Sequence, residues 1–524
     1  MTAGEPHIAR PVPLRGPGPE RATSDAERDG SRAQATREER LQTAVHGLSQ
    51  SRPDMASYFG LWRWQWGAIT ALPIAFAVAV VLAPTAAIST LLALATIAFL
   101  AASIVRIYAI AAIVHAQPMQ VAQPCAMKQH LPDDALPTYT VLVPIFREAT
   151  IVRDLMSALS HIDYPRDKLT VLIVCEEDDR ETLDELARTP LPPQVAIIEV
   201  PAMAPRTKPK ALNFALTFVT SDLVVVFDAE DVPEPDQLRR AASTFFRAPD
   251  DVACLQARLN IYNRADSWLT RQFTLEYSAL FDGLLPALER LRLPIPLGGT
   301  SNHFKVTQLN EVGGWDAFNV TEDADLGIRL ARSDLSIHVL PSTTWEEAPS
   351  TMGAWGRQRT RWMLGWLQTY AVHMRQPLKL LNDLGAWRFV GFQVLALGLL
   401  ATVYLHPISY LALLALWVTG TLAASLQSNV ATLLLGLAAL NLGLGVLTTL
   451  VLAGVAVIRR GWFRLLPALA LMPVYWLLTS CAAYRAVGKL FAARRRPINW
   501  EKTAHRSRRP EEQRPNTQQP NTKV

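Results

Sequence analysis

DLVVVFDAED, residues 222–231, is the stretch of sequence that decides the fold. Its β-branched and aromatic run, residues 223–227, predicts a short buried strand that ends directly at a group of acidic residues. Similar β-rich runs alternate with helical stretches on both sides, and such alternation is typical of a mostly parallel sheet. In sheets of this kind, ligands bind beyond the carboxyl ends of the strands. We therefore expect Asp228, Glu230 and Asp231 to lie at a ligand site.

The middle of the chain, about residues 135–345, thus predicts an α/β domain. The expected strands are residues 138–144, 169–174, 195–200 and 223–227. The expected helices are residues 151–160, 180–187, 210–219 and 237–247.

Apolar blocks flank this domain on both sides. Residues 66–84 and 86–114 are each long enough to cross a bilayer, which takes about 20 residues. The second block predicts four more spans, although Pro467 and Pro473 leave open that the last one lies in the interface. The basic link 459–464 favours the same side of the membrane as the domain, whereas six spans place it on the opposite side. The spans expected in the second block are residues 388–405, 407–425, 430–458 and 463–485.

This organisation divides the chain into six segments. Residues 1–60 are rich in Arg, Glu, Pro, Ser and Ala, and we expect a disordered cytoplasmic leader without a secretory signal. The other segments are two transmembrane helices in 61–116, the α/β domain in 117–350, amphipathic interfacial helices in 351–386, about four transmembrane or interfacial helices in 387–487, and a basic cytoplasmic tail in 488–524.

The net charge of +5 at pH 7 is concentrated in the tail, where Arg494, Arg495 and Arg496 closely follow an apolar segment. Clustered arginines bind nucleic acid in some proteins. A basic flank after an apolar segment is more typical of the cytoplasmic edge of a membrane protein. The sequence therefore favours membrane lipids as partners and predicts no nucleic-acid partner.

Asp228 and Glu230 form a candidate metal site, because two acids at the end of a buried strand can hold a hard divalent cation, Mg²⁺ or Mn²⁺. The cation would bridge the two phosphates of a sugar nucleotide as the bond between sugar and phosphate breaks. A solvated acidic turn is the alternative explanation. That alternative loses weight because other charged groups, such as Glu176 and Glu177, follow further strands of the same domain.

These other groups are ambiguous on their own. Glu176 and Glu177 can accept hydrogen bonds from a base or ribose, but an acidic run also suits a solvated helix N-terminus. Lys208 and Lys210 open a helix at which phosphate can bind. Asp323, in the sequence Thr-Glu-Asp, is either part of a capped first turn or the general base for an attacking acceptor hydroxyl. The local patterns leave these alternatives open.

QRTRW, residues 358–362, carries the most specific signal. It lies on the amphipathic stretch 352–372, just before the second apolar block. Trp and Arg are common at membrane interfaces, so an interfacial belt is one explanation. The other explanation is chemical, because an indole face stacks on a sugar ring and guanidinium groups match phosphate oxygens.

The order and spacing of these motifs resemble membrane-integrated inverting glycosyltransferases of family two, which include cellulose, hyaluronan and chitin synthases. The resemblance covers about residues 60–505. It implies a GT-A fold, that is, an α/β nucleotide-diphospho-sugar transferase domain inserted between transmembrane α-helices. The matching motifs are VPIFRE (143–148), the acidic turn after Val174, KALN (210–213), DAE (228–230), TED (321–323) and QRTRW (358–362).

The resemblance also implies a role for each matching residue. Two positions depart from the family pattern, because Glu176-Glu177 stands where the family has an aspartate pair and DxE stands where it has DxD. Asp323 would be the catalytic base. Glu148, Glu176 and Glu177 would contact the uridine of the donor, Lys210, Asp228 and Glu230 would hold the diphosphate, the last two through the metal, and Gln358, Arg361 and Trp362 would bind the acceptor end and the leaving diphosphate.

The resemblance implies an inverting, processive β-glycosyltransferase, a hexosyltransferase that adds sugar from a UDP-sugar to a growing polysaccharide and exports it. Its expected location is the bacterial inner (plasma) membrane, with several spans and a cytoplasmic catalytic domain. The first alternative is a transferase that adds a single sugar to a lipid or short glycan. The second is a membrane scaffold or transporter with an inactive domain, and the intact set of Asp228, Asp323 and Trp362 argues against it. The QRTRW motif and the helices on both sides of the domain favour processivity.

Overall fold

The computed structural model describes residues 36–115, 130–418 and 429–492. The first 35 residues of the expected leader and the expected tail beyond residue 492 lie outside this part of the chain. Within it, a mixed sheet with helices on both faces lies between two groups of long apolar helices. This agrees with the α/β domain between membrane helices that the sequence predicts.

Eight strands form the sheet. They are β1 (Tyr139–Ile145), β2 (Leu169–Glu176), β3 (Val195–Val200), β4 (Leu223–Val226), β5 (Val232–Pro233), β6 (Val252–Ile261), β7 (Asn302–Lys305) and β8 (Ser336–Glu346). Their order is β3-β2-β1-β4-β7-β6-β8-β5. Strands β1 to β4 run parallel, β7 runs antiparallel to β4 and β6, and β6 is parallel to β8. The carboxyl ends of β1, β2, β4 and β8 and the amino end of β7 therefore meet at one edge of the sheet.

Helices cover both faces of the sheet and form the two apolar groups. The domain helices are α1 (residues 36–51), α4 (Val152–Ser160), α5 (Arg180–Arg188), α6 (Lys208–Leu216), α7 (Gln237–Arg247), α8 (Trp268–Ser278), α9 (Leu285–Arg290), α10 (Val306–Glu311) and α11 (Glu322–Arg332). The other helices are α2 (Arg63–Leu82), α3 (Pro84–His115), α12 (Met352–His373), α13 (Pro377–Phe392), α14 (Gly398–Val418), α15 (Asn429–Arg459) and α16 (Met472–Ala492).

The central strands are buried on both faces, and their residues alternate between two hydrophobic clusters. Leu142 and Val224 face the cluster that contains α6, whereas Val141 and Val225 face the cluster that contains α4 and α7. Such strands read as continuous apolar runs because both faces are covered. The four strands predicted from the sequence are confirmed to within two residues at each end.

Helix α1 corrects the prediction that residues 1–60 form a disordered leader. Leu41, Ala44, Val45 and Leu48 follow helical spacing, and all four are buried. Asn213 of α6 donates a hydrogen bond to the Ala44 carbonyl (3.0 Å) and so fixes the helix to the domain. The prediction is wrong for residues 36–51 because four apolar positions at this spacing give a helix one buried face, even in a polar segment.

In the part of the chain that the structure describes, five helices are long and apolar enough to cross a membrane. The break predicted at His406 and Pro407 between two spans is wrong, because α14 continues through Pro407. A membrane helix tolerates proline where neighbouring groups satisfy the freed carbonyl. The five segments are Arg63–Leu82, Ala93–His115, Pro377–Leu405, Gly436–Arg459 and Phe463–Leu490.

The basic link between α15 and α16 lies against the domain. Arg460 forms an ion pair with the buried carboxylate of Asp282 (2.5 and 2.8 Å). After the link, α16 packs along α12, where the Trp355 indole donates to the Tyr475 hydroxyl (3.2 Å). These contacts place the link on the domain side.

Candidate active site

One cavity of about 910 Å³ joins the sheet edge to the apolar helices. Its domain half is lined by residues that follow the strands, and its membrane half by side chains of α3, α14, α15 and α16. Both halves meet at α12, which carries the QRTRW motif. The predicted site residues that line the cavity are Glu148, Asp228, Glu230, Asp323, Gln358, Arg361 and Trp362.

Asp228 lies two residues beyond the end of β4, where its backbone N–H donates to Asp231 (2.8 Å). Its carboxylate forms an ion pair with Lys208, the first residue of α6. The Lys208 ammonium also donates to the carbonyl of Gly299 (2.7 Å). Gly299 reaches this point because it precedes β7, whose first residue Asn302 pairs with the last residue of β4. Lys208 therefore links the end of β4 to the loop before β7.

Asp323 lies in the first turn of α11, and its Oδ1 accepts a hydrogen bond from the Ala324 N–H (2.7 Å). Its Oδ2 faces Gly299, where an added Cβ would lie 3.3 Å from Oδ2 and 3.9 Å from Nζ of Lys208. A side chain at position 299 would therefore crowd both groups. The carboxylates of Asp228 and Asp323 thus share one cationic neighbour, Lys208.

The two acids at the start of α11 have raised pKa values. Burial raises the pKa of Asp323, and the nearby Lys208 opposes this effect. Burial and the neighbouring Asp323 raise the pKa of Glu322 to about 8. A carboxylate with a raised pKa is a stronger proton acceptor, so Asp323 suits a general base.

The raised pKa of Glu322 gives a pH test. Glu322 is largely protonated at pH 7 and ionises as the pH rises through about 8. We expect the wild-type rate at saturating substrate to fall through this range. The ionised Glu322 then adds a second negative charge to that of Asp323, and this added charge repels the diphosphate. Glu322→Gln mimics the protonated acid, so it should match the wild type at pH 7 and lose the step near pH 8. Initial rates between pH 6.5 and 9.5 measure this, and an unchanged step in the variant would contradict the assignment.

Four carboxylates gather at the sheet edge, from Asp228, Glu230, Asp231 and Glu346. Burial, then repulsion from Asp228 and Glu230, raises the pKa of Asp231 well above its usual range. Burial and the other three acids do the same to the pKa of Glu346, with Lys208 opposing. This concentration of carboxyl groups, whose oxygens are hard ligands, fits a divalent cation.

The metal would not be held by the protein alone. In residues 36–115, 130–418 and 429–492, no three His, Cys, Asp or Glu side chains are arranged to hold a metal ion. Mg²⁺ commonly binds through one or two carboxylates together with substrate phosphates instead of an all-protein cage. Asp228 and Glu230 fit that partial set, with the phosphates of the donor completing it.

Lys210, Glu176 and Glu177 do not line the cavity. Lys210 is 0% exposed, forms an ion pair with Glu176 (2.8 Å) and donates to the Met203 carbonyl (2.9 Å). Glu177 accepts from the Ala202 N–H (2.8 Å). Side chains two positions apart on a helix point in directions that differ by about 200°, so Lys208 and Lys210 lie on opposite sides of α6. The structure brings Lys208 to the cavity, where the resemblance implied Lys210.

Helix α12 packs closely on α11, so the QRTRW motif and Asp323 are held together. A Cβ added to Gly365 would lie 2.3 Å from the side chain of Thr321, so the absence of a side chain at Gly365 lets the start of α11 pack against α12. Further along, His373 contacts Asp325 (3.1 Å), and Asp325 also pairs with Arg329 (2.7 Å). All three of these side chains are buried. The distance between Asp323 and the motif is therefore fixed by packing.

Trp362 lines the cavity with its ring held by neighbours from α12 and α8. The Arg359 guanidinium lies 4.5 Å from the ring centre, and Tyr277 is stacked at 6.5 Å. Arg359 in turn forms a bidentate ion pair with Glu276 of α8 (2.7 and 2.5 Å) and donates to Tyr475 of α16 (2.8 Å). Arg359 thus positions Trp362 and ties α12 to its neighbours.

The site residues predicted from the sequence do not include Glu322, Glu346 or Arg359, and they include Lys210 instead of Lys208. The signal for Lys208 was present, since both lysines open α6. Glu346 is the last residue of β8, so it lies at the carboxyl end of a strand, the position at which a ligand site is expected. The strand β8 is not among the four strands predicted from the sequence. Arg359 lies inside the QRTRW motif, and only its contacts show that it faces Glu276.

Comparison with known proteins places the same region in one family. Residues 137–365 match the family described as Glycosyltransferase like family 2. The chain is 30% identical over 297 residues to a beta-monoglucosyldiacylglycerol synthase of Synechocystis, a match that covers 53% of this chain and 61% of the relative. It is 28% identical over 237 residues to a probable glucomannan 4-beta-mannosyltransferase of rice, covering 44% and 40% of the two chains.

A solved structure with a similar arrangement is a mannosyltransferase from Pyrobaculum calidifontis in complex with GDP-Man and Mn²⁺. The likeness has a TM-score of 0.42 and 20% identity, and it covers 71% of this chain and 99% of that one. The chain spans about half the length of the curated relatives that it matches.

Proposed function

Residues 137–365 form a family 2 glycosyltransferase domain of the GT-A type, and from this premise we propose that the protein transfers a hexose with inversion to an acceptor. The acceptor enters through the membrane half of the cavity. The observation that carries the proposal is the cavity itself, because Asp323 and side chains from four apolar helices line the same space. An acceptor held among those helices reaches the base without leaving the cavity.

The transfer is a single displacement. Asp323 takes the proton of the acceptor hydroxyl, and the hydroxyl oxygen forms a bond to the anomeric carbon of the donor sugar. The bond from this carbon to the diphosphate oxygen breaks, and its electron pair leaves with the diphosphate. Lys208 offsets the developing negative charge, and Arg361 lines the same space. A divalent cation bound with the donor would supply further charge neutralisation.

We propose a UDP-sugar as the donor and the cytoplasm as the side on which it binds, because nucleotide sugars are made there. Glu148, which lines the cavity after β1, is the predicted uridine contact nearest to this space. Glu176 and Glu177 keep that role only as a prediction, since their carboxylates have protein partners away from the cavity.

Two acceptors fit the cavity. A growing polysaccharide, exported as it lengthens, is favoured by Trp362, which lines the same cavity as Asp323. A lipid that receives a single sugar is favoured by the apolar side chains of the membrane half, among them Phe99, Leu395 and Val446. The name of the Synechocystis relative, a beta-monoglucosyldiacylglycerol synthase, also describes a lipid product.

Product analysis separates these acceptors. Membranes that contain the full chain are incubated with radiolabelled UDP-sugars, and with GDP-sugars as a second panel. The labelled product is then extracted into organic solvent and sized. A polysaccharide stays in the aqueous or insoluble fraction at high mass, whereas a single transfer to lipid moves one sugar into the organic phase. Absence of product from every donor would overturn the proposed function.

Trp362→Ala is expected to weaken retention of the acceptor more than binding of the donor. Stacking on an aromatic ring contributes about 1 kcal/mol, so roughly a fivefold loss is expected, seen as shorter products or as hydrolysis of UDP-sugar without transfer. Trp362→Phe keeps a ring face and should recover part of this loss. Product size per amount of folded protein is the measurement, and equal product lengths in all three proteins would contradict a sugar-stacking role.

Activity is expected to require Mg²⁺ or Mn²⁺, because four carboxylates crowd the site where the diphosphate must bind. Excess chelator should abolish transfer, and adding back either ion should restore it. Asp228→Asn should raise the metal concentration needed for half-maximal rate. Full activity in excess chelator would remove the metal from the mechanism.

A further inference from the structure

We infer that Arg106 forms an anion site in the membrane half of the cavity, and that this site takes the phosphate group of an amphiphilic acceptor. The inference rests on the proposed function, because it names the chemical class of the acceptor for the same cavity. Arg106 lies in α3, nine residues before the helix ends at His115, and it lines the cavity together with Phe99 and Ala102. At 1.5 Å per residue, it is roughly 14 Å inside the end of the helix.

The apolar segments contain no carboxylate that can neutralise this cation. Residues 55–132 and 384–500 contain no Asp and no Glu. Within the described ranges, Arg106 also has no hydrogen bond or ion pair with the domain. A charged side chain inside an apolar helix is costly unless it is paired, and such residues commonly mark a ligand pathway.

Other arginines near the membrane helices show how this protein neutralises such charges. Arg388 of α13 pairs with Asp334 of the domain (2.8 Å). Arg460, after α15, pairs with the buried Asp282 (2.5 Å). Arg106 differs from both because its side chain faces the cavity, so its counter-charge is expected to come from the molecule that fills the cavity.

Phosphate on an apolar tail is the chemistry that matches these surroundings. A guanidinium group binds phosphate through two parallel hydrogen bonds. The hydroxyls of Thr402, Thr449 and Ser480 also line this half of the cavity, but they donate to carbonyls of their own helices (2.7, 2.8 and 3.2 Å). Apolar side chains such as Leu399 make up much of the remaining wall. The diphosphate of the donor has its own partner, Lys208, at the other end of the cavity.

Binding of matched lipids tests this site independently of catalysis. The full chain in detergent is titrated with dioleoyl phosphatidylglycerol, with an isoprenyl monophosphate and with dioleoylglycerol, and bound lipid is measured by native mass spectrometry. We expect the wild type to prefer both phosphate lipids over dioleoylglycerol by about tenfold or more. Arg106→Gln should remove the preference, and Arg106→Lys should keep most of it. Arg63→Gln, a change at the exposed start of α2, is the matched control and should leave the preference intact.

Stability and kinetics complete the test. Without lipid, Arg106→Leu should melt no lower than the wild type, because it removes an unneutralised charge. If Arg106 had a structural role, its replacement would lower the melting temperature.

In transfer assays, Arg106→Gln should raise KM for the phosphate-bearing acceptor about tenfold and leave the donor KM unchanged. A phosphate lipid that both Arg106 and the transfer assay select identifies the acceptor. Phosphatidylglycerol offers a free hydroxyl for the displacement, whereas transfer to the isoprenyl monophosphate, whose nucleophile is the phosphate oxygen itself, would overturn the placing of that phosphate on Arg106.

Three results would overturn the inference. They are equal binding of phosphate and neutral lipids by the wild type, a preference that survives Arg106→Gln, and a rise in the donor KM, which would assign Arg106 to the diphosphate. A phosphate lipid that binds but accepts no sugar, while another acceptor is glycosylated, would also overturn the acceptor role. If no donor yields any product, the proposed function fails, and the binding preference still decides whether the anion site exists.

Discussion

Asp323→Asn is expected to lower the rate of sugar transfer by about 10²–10⁴-fold, because the acceptor hydroxyl then has no base to take its proton. Binding of the donor should change little. The Asn side chain can keep the hydrogen bond that Asp323 Oδ1 accepts from the Ala324 N–H, so the first turn of α11 should stay intact. Single-turnover rates give the loss in the chemical step, and calorimetric titration with the donor gives its affinity.

Asp325→Asn is the matched control for this experiment. Asp325 lies on the same helix, but its buried carboxylate pairs with Arg329 and His373 instead of facing the cavity. This variant should lower the melting temperature and leave turnover per folded molecule close to that of the wild type. Wild-type turnover in Asp323→Asn, or an equal loss in both variants, would show that Asp323 is not the base.

Lys208→Met should reduce kcat by about 10²–10³-fold, the loss seen when a group that stabilises developing charge is removed from an active site. Lys208 is the cation shared by Asp228 and Asp323, so its removal takes away a counter-charge of these carboxylates and of the departing diphosphate. Metal affinity should change less than kcat, because the carboxylate ligands remain. Steady-state rates at saturating metal and donor measure the effect.

Lys210→Met should give the opposite pattern. Its ammonium is fully buried against Glu176, and removal of one partner from a buried ion pair costs about 3–5 kcal/mol of stability. We expect a lower yield and melting temperature, with turnover per folded molecule close to the wild type. A large loss of kcat in Lys210→Met with a normal Lys208→Met would return the diphosphate role to Lys210.

The linear sequence was sufficient to predict the sheet and the side of it on which the site lies. Continuous apolar runs such as residues 223–227 predict strands buried on both faces, and the residues after them must share one sheet edge once the strands are parallel. Asp228 was a site candidate on this ground, whereas Asp323 and Trp362 became candidates because the order and spacing of their motifs resemble family 2 glycosyltransferases. All three line one cavity.

Helix α1 shows where composition misleads. A segment rich in charge and proline resembles a disordered leader, yet Leu41, Ala44, Val45 and Leu48 form one apolar face within it. Whether such a face is used depends on a complementary surface elsewhere in the chain. Here that surface includes Asn213 of α6, more than 160 residues away, and no local pattern identifies it.

By itself, the sequence determined the α/β domain, its place between apolar helices and the acids at its strand ends, because these follow from periodicity and from the geometry of parallel strands. Only the tertiary structure decided that Lys208 and not Lys210 reaches the cavity, since the choice depends on which side of α6 packs against the sheet. It also decided that Arg106, on a helix with no acidic residue, faces the same space as Asp323. Charge neutralisation depends on distance in space, and distant segments come close only after the chain has folded.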